Sequence, residues 1–496
     1  MAKPKLQIIV LFQNLGEEHA YYAKSPAPPL SGILLAALTP DSVEVEVLHE
    51  MVRPIDYGTD ADFIALSFMD YCAPHAIEVA RRFRRLGKKV VAGGRYASTF
   101  PERLAGHFDS VVAGEAEQVW PRVVADLLAH RLQPLYRAPA APPLDDIPPP
   151  RYDLVEPAYG IAVVTEASRG CPYHCSYCAL NIAPRPYRTR PVRDVIRDLT
   201  ATSALPWHKR KLAMVYDNNL GGDIAWAKSL LREIAKLDLW GVGFQFTLNC
   251  LDDPEFVDLL ADAHGAMAFV GMESLSEGSL LSVQKKHNLV QRYEEEFGKL
   301  KSRGILTFAG FMVGIDEDSA DDYRQANAKL EVVDPSAILT SIAIPIPGTP
   351  LHVEAVAQGR VVDGDLRHYE GDHLVVRPRT VAPEDVLTAY EAIPARFYAW
   401  PAVLRRWWRL MTAYWTGPRR ASLFHSALIS AVLYQLTRFQ RTHLARKVRP
   451  VMAEERAKWR ELASGAWARR SGGARRRPDT GAKTAGPARP SGAAAR

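Results

Sequence analysis

Short runs rich in Val and Ile alternate with helical stretches along most of this chain, and that alternation confines it to parallel sheets joined by helical crossovers. Residues 6–12, 43–49, 63–68, 89–94 and 110–114 read as strands, while 29–38, 73–86 and 119–130 carry helical spacing. Residues 1–133 are therefore expected to form a doubly wound, flavodoxin- or Rossmann-like parallel sheet domain. Pro and Ala without periodicity then take over, and 134–158 reads as a semi-rigid linker. Strand-like runs return at 161–165, 212–216, 244–248, 266–271, 306–313 and 337–344 with helices between them. That pattern predicts a partial six-stranded TIM-like barrel over 159–380. A helical, aromatic extension follows over 381–468, and 469–496, rich in Arg, Gly, Ala and Pro, offers too little apolar surface to offset chain entropy and is expected to be disordered.

Charge is unevenly distributed along this organisation. The net +6 combines 41 Lys and Arg against 52 Asp and Glu in residues 1–400 with 21 against 4 in residues 401–496. Five cysteines in 496 residues exclude a disulfide framework, and the N-terminal sequence has neither the apolar length nor the cleavage site of a signal peptide, so a cytoplasmic protein is expected. The most apolar long window, 421–436, falls short of a membrane span.

Three of the five cysteines crowd into Gly170-Cys171-Pro172-Tyr173-His174-Cys175-Ser176-Tyr177-Cys178, directly after the first barrel strand. A loop of this spacing can wrap three thiolates around a 4Fe-4S cluster and leave the fourth iron open to a substrate. A zinc site, with His174 as a fourth ligand, and three unrelated thiols are the alternatives. Cys72 and Cys250 stand alone and read as small buried apolar groups.

With Tyr177 before the third cysteine, this loop resembles that of the radical S-adenosylmethionine superfamily. Tyr216-Asp217-Asn218-Asn219 resembles the superfamily's segment that meets the methionine amino group, Gly271-Met272-Glu273-Ser274 its "GxES" segment, and Phe311-Met312-Val313-Gly314-Ile315 its adenine-supporting strand. The resemblance implies that Cys171, Cys175 and Cys178 hold the cluster, and that Tyr177, Asp217, Asn218, Asn219, Glu273 and Ser274 line the S-adenosylmethionine site. It implies a 5'-deoxyadenosyl radical and an external one-electron reductant of flavodoxin or ferredoxin type. Arg188 and Arg190 are expected either to neutralise the cluster or to face solvent.

The first domain resembles the cobalamin-binding domain of one class of that superfamily, through Gly93-Gly94-Arg95-Tyr96-Ala97-Ser98, Phe100-Pro101-Glu102 and Val112-Ala113-Gly114-Glu115-Ala116-Glu117. Gly93 and Gly94 would let backbone approach the cofactor. The Asp-x-His-x-x-Gly pattern that supplies a lower histidine ligand is absent from residues 1–150, and His19, His49 and His75 lack its context. Cobalamin held without histidine and a purely structural domain both remain open. So do cobalamin-assisted methyl transfer to a hydrophobic terpenoid, lipid or tetrapyrrole; cobalamin-free hydroxylation, cyclisation or rearrangement; and a non-enzymatic iron–sulfur protein. No residue is assigned a substrate-specific catalytic role.

Two further segments stand out. Pro345-Ile346-Pro347-Gly348-Thr349-Pro350 reads as a rigid loop near the barrel mouth, and His368-Tyr369-Glu370-Gly371-Asp372-His373 gathers titratable groups. Residues 399–415 interleave Trp400, Trp407, Trp408, Tyr414 and Trp415 with Arg405, Arg406 and Arg409, which suits a membrane surface or packing onto the barrel. Nucleic acid is not an expected partner, since no nucleic-acid module accompanies the stretch and the body is acidic.

Overall fold

The computed structural model describes residues 3–12, 27–183, 186–418 and 422–464; His19 and the expected disordered tail lie outside them. Six parallel strands form the first sheet: β1 (Lys5–Val10), β2 (Glu44–His49), β3 (Phe63–Ser67), β4 (Lys89–Gly93), β5 (Ser110–Ala113) and β6 (Leu135–Arg137). Their order is β2-β1-β3-β4-β5-β6, which reverses between β1 and β3 as a doubly wound sheet must. Successive side chains feed opposite faces: Leu6, Ile8 and Ala65 join the core that holds Trp120, and Ile9, Ile64 and Leu66 join the one that holds Phe83. The strand β6 falls inside the segment read from sequence as linker. Three residues at a sheet edge are too few to show a period, and the pairing Val112↔Tyr136 creates the strand.

A second sheet contains β7 (Val163–Thr165), β10 (Leu212–Val215), β11 (Gly241–Phe246), β12 (Gly265–Glu273), β13 (Leu306–Val313) and β14 (Ala337–Ile342). All are parallel and lie in unbroken chain order from β7 to β14, so this sheet is singly wound, as the wall of an open barrel. Ala268, Val270, Ala309 and Val313 point outward into the helix-covered core, and the alternate residues Met267, Phe269, Leu306 and Phe308 point inward. Between β7 and β10, β8 (Ser168–Arg169) and β9 (Arg188–Thr189) pair antiparallel, a hairpin base that sequence periodicity does not reveal.

The helices Trp400–Thr416 and Leu423–His443 close the amino-terminal end of the barrel. Leu410, Met411 and Ile429 pack on Leu306 and Phe308; Tyr414 lies over Gly304 just before β13; and Trp407 Nε1 donates to Ser430 Oγ at 2.8 Å. Packing therefore claims one side of the aromatic helix. Arg406, expected among its outward cations, is instead buried over the Phe397 ring at 3.6 Å, where desolvation lowers its pKa to about 10. No described helix is long and apolar enough to cross a membrane. Because Leu410 is buried between helix and barrel, Leu410→Ala should lower stability by about 3 kcal/mol, read as a shift of the urea midpoint without loss of the first sheet's signal.

Candidate functional site

The β8–β9 hairpin aims the cysteine loop. Gly170 has φ of +93°, which a side chain would disfavour, and starts the excursion that ends at β9. The loop is pinned from two sides: Ser176 N–H donates to Val283 O, and Leu351 N–H, beyond the Pro-rich loop, donates to Ser176 O, each at 3.0 Å. Gly348 of that loop lies against Ile182 and Phe100, so it ties the cysteine loop to the first domain. Tyr173 stacks on His287 at 3.8 Å and accepts a hydrogen bond from Asn249.

Cys175 is buried, and Cys171 and Cys178 are partly buried. Burial pushes the Cys175 and Cys178 thiols above their ordinary range, the Lys285 ammonium pulls both back, and each thiol feels its neighbours in the triplet. Yet among the described residues no three His, Cys, Asp or Glu side chains gather as a set able to hold a metal ion. His174 is occupied with Asn181 at 3.3 Å.

Glu273 closes β12 in a left-handed backbone, φ +65°, where the β12–β13 register slips. For a non-glycine residue this is strained geometry of the sort that persists when surroundings enforce it. Asn288 does so, donating to Gly271 O at 2.8 Å and Met272 O at 3.2 Å, with Tyr293 OH also on Met272 O. The Glu273 side chain folds back over Gly271 and Gly310; a Cβ at Gly271 would collide with its Oε1. It pairs with Lys285 at 3.2 Å, both largely buried, and Lys285 Nζ also stands 3.5 Å from the Tyr177 hydroxyl. Burial alone would lower the Lys285 pKa, but the Glu273 carboxylate and the thiols outweigh it and hold it raised. Burial pushes the Tyr177 hydroxyl far up. Lys285 was not singled out from sequence: in Gln284-Lys285-Lys286-His287 it reads as part of a solvated charge run.

The other expected residues divide. Asn219 is fully buried beside the triplet, with Oδ1 accepting from Thr247 N–H at 3.1 Å and Nδ2 donating to Cys171 Sγ at 3.9 Å. Asn218 is exposed at the end of β10. Asp217 holds the backbone ahead of the triplet: it accepts from Ala167 N–H, Ser168 N–H and Ser168 Oγ at 2.7–3.0 Å and so fixes the β7–β8 turn. Burial pushes its pKa up to about 6 against those three donors. Ser274 is buried and accepts from Ser276 N–H, a local turn contact. Arg188 and Arg190 neither meet the thiols nor face solvent; they pair with Glu115 at 2.6 Å and Asp198 at 2.7 Å. Cys72 and Cys250 are buried, and burial raises the Cys250 thiol to about 11.

At the carboxyl ends of β3, β4 and β5 lies a cavity of about 520 Å³, walled by Leu34, Leu38, Val91 and Val112 and floored by Gly93 and Gly94. Gly94 has φ of +98°, and a Cβ there would strike Phe68 O. At its rim Arg169 meets Glu115 at 2.7 Å and also pairs with Glu117 and Glu166. No histidine lines this cavity among the described residues. His49 is buried and edge-on to Tyr159, with its pKa lowered to about 4 by desolvation, and His75 pairs with Glu50 at 2.7 Å.

Residues 165–328 match the model of the radical SAM superfamily. The chain is 27% identical to the bacteriochlorophyllide d C-8(2)-methyltransferase of Chlorobaculum tepidum, over 84% of this chain and 94% of that protein. It is 25% identical to the hopanoid C-2 methylase of Rhodopseudomonas palustris, over 80% and 77%. Its fold matches the radical S-adenosylmethionine methyltransferase TsrM of Kitasatospora setae, a structure with cobalamin and a [4Fe-4S] cluster bound, with a TM-score of 0.56 at 18% identity over 92% and 100% of the chains.

The Glu273–Lys285 pair is buried, so Lys285→Met should strand the carboxylate and cost about 3 kcal/mol. Adding Glu273→Gln should recover most of that loss, which a double-mutant cycle on unfolding midpoints measures.

Proposed function

The chain is a member of the radical S-adenosylmethionine superfamily, with an N-terminal domain of the cobalamin-binding fold before its barrel, and from that premise we propose that it methylates an unactivated carbon of a hydrophobic small molecule of the tetrapyrrole, terpenoid or lipid kind. One observation carries the reading. The glycine-floored cavity of the first sheet and the cysteine loop of the barrel share a single charged rim, because Arg169 lines the cavity and lies two residues before Cys171. The activities named for the relatives, on bacteriochlorophyllide d and on hopanoids, support both the reaction and the breadth of substrate.

The residues present fit the groups this reading needs. Cys171, Cys175 and Cys178, three thiols on one short loop with Cys175 buried and the other two partly buried, would hold a four-iron cluster. Gly93 and Gly94 would let the backbone approach cobalamin, and Gly94 can hold its left-handed turn there only without a side chain, because a Cβ would strike the Phe68 backbone. When bound, the cluster would supply an electron to the sulfonium of S-adenosylmethionine, and cobalamin would carry the methyl group.

The chain's own residues orient these partners. Lys285, held by Glu273 and next to Tyr177, would donate to the methionine carboxylate, while Glu273 would accept from the α-amino group. The Asn219 amide would hydrogen-bond the Cys171 thiolate and so ease reduction of the centre it ligates. Leu34, Leu38, Val91 and Val112 would wall the pocket that takes the corrin. An external one-electron donor of flavodoxin or ferredoxin type completes the requirement.

Anaerobic reconstitution with iron, sulfide and hydroxocobalamin followed by gel filtration tests the reading. The protein should elute with corrinoid absorption bands, and Gly94→Val should lose those bands while keeping its iron. Cys171→Ala, Cys175→Ala and Cys178→Ala should each lose the iron–sulfur absorbance. Elution without corrinoid would remove the methyl-transfer reading.

A further inference from the structure

The C-terminal helix pair has a second face that its packing on the barrel leaves open. On the helix Trp400–Thr416, Trp400, Leu404, Trp408 and Trp415 fall within roughly 80° of one another about the axis, and all four are exposed, Trp408 to 67%. The neighbouring helix Leu423–His443 adds Leu423, exposed to 78%, with Phe424 and Tyr434. Trp400 stacks on Tyr434 at 6.0 Å, so the two stripes adjoin as one plate. Trp207 and Trp240, from the turn before β10 and from just before β11, extend its edge through edge-to-face contacts ending on Phe424.

The charge that the two helices carry has a single sign. No Asp or Glu occurs between Trp400 and Ala453. Arg405 and Arg409 border the first stripe, both half-exposed and braced from behind by Glu331, and Arg441 and Arg438 lie near the Trp400 and Tyr434 rings. We propose that this plate docks the protein on an anionic lipid bilayer, with the tryptophans at the headgroup boundary and the arginines on lipid phosphate. Exposed leucines need hydrocarbon, which a nucleic acid does not offer. A second copy of the chain would bring arginine against arginine. The plate lies at the amino-terminal end of the barrel strands, away from the cysteine loop, so docking would hold the enzyme at a surface without covering its site. The inference is independent of the chemistry proposed above.

Sedimentation with vesicles tests it. The full chain should pellet with phosphatidylcholine vesicles containing phosphatidylglycerol, far less with pure phosphatidylcholine, and less as salt rises. Its tryptophan emission should shift to the blue on the anionic vesicles. The Trp408→Ser/Trp415→Ser double variant, and separately Leu423→Ser/Phe424→Ser, should weaken binding about tenfold with an unchanged unfolding midpoint, and a chain ending at Ser464 should still bind. Pelleting no better with anionic vesicles than with neutral ones would overturn the proposal. So would full binding by both double variants with loss on removal of 465–496, which would assign binding to the tail. Dimerisation abolished by the same substitutions, without vesicle binding, would make the plate a contact between copies and equally overturn it.

Discussion

Arg169 sets the geometry on which the rest depends. Its guanidinium pairs with Glu115 and Glu117 of the first domain and with Glu166 of the barrel, and Arg188, across the β8–β9 hairpin, shares Glu115. A cation with several carboxylates, largely removed from water, is stable only when every partner is in place, because a missing one leaves an uncompensated buried charge. The carboxyl ends of the two sheets are thereby tied together at the base of the cysteine loop. Gly348 against Phe100 adds a second, apolar tie on the same loop.

From that seam the two halves of the site follow. On one side, glycines at the ends of β4 and β5 open an apolar cavity. On the other, the strained turn at Glu273 projects a carboxylate over two glycines toward Lys285 and the triplet. The barrel's opposite end is filled by the C-terminal helices, so its interior is a packed core below and a lined space above, the usual division of labour in such barrels.

The strands and helices were legible because alternation of apolar runs survives without tertiary context; β13 occupies the residues expected of it, 306–313. What lacked a period was missed: β6, three residues long, and the β8–β9 hairpin, two residues to a strand. The cysteine triplet stands out in the sequence because its spacing is short and chemically specific, and the structure leaves its thiols buried or partly buried on one loop. Lys285 was not, since a lysine in a charged run reveals its burial only once Glu273 is placed beside it. Charges were misjudged for the same reason: Arg188, Arg190 and Arg406 look alike in sequence, and each is claimed by a partner distant in the fold or by a ring. Asp217 shows that a carboxylate in a familiar segment can hold the backbone that leads to a site.

The most direct test of cobalamin-assisted methyl transfer needs no knowledge of the substrate. The reconstituted protein, reduced anaerobically with S-adenosylmethionine, should form S-adenosylhomocysteine in an amount that rises with added hydroxocobalamin. Formation of 5'-deoxyadenosine alone, indifferent to the corrinoid, would contradict the account.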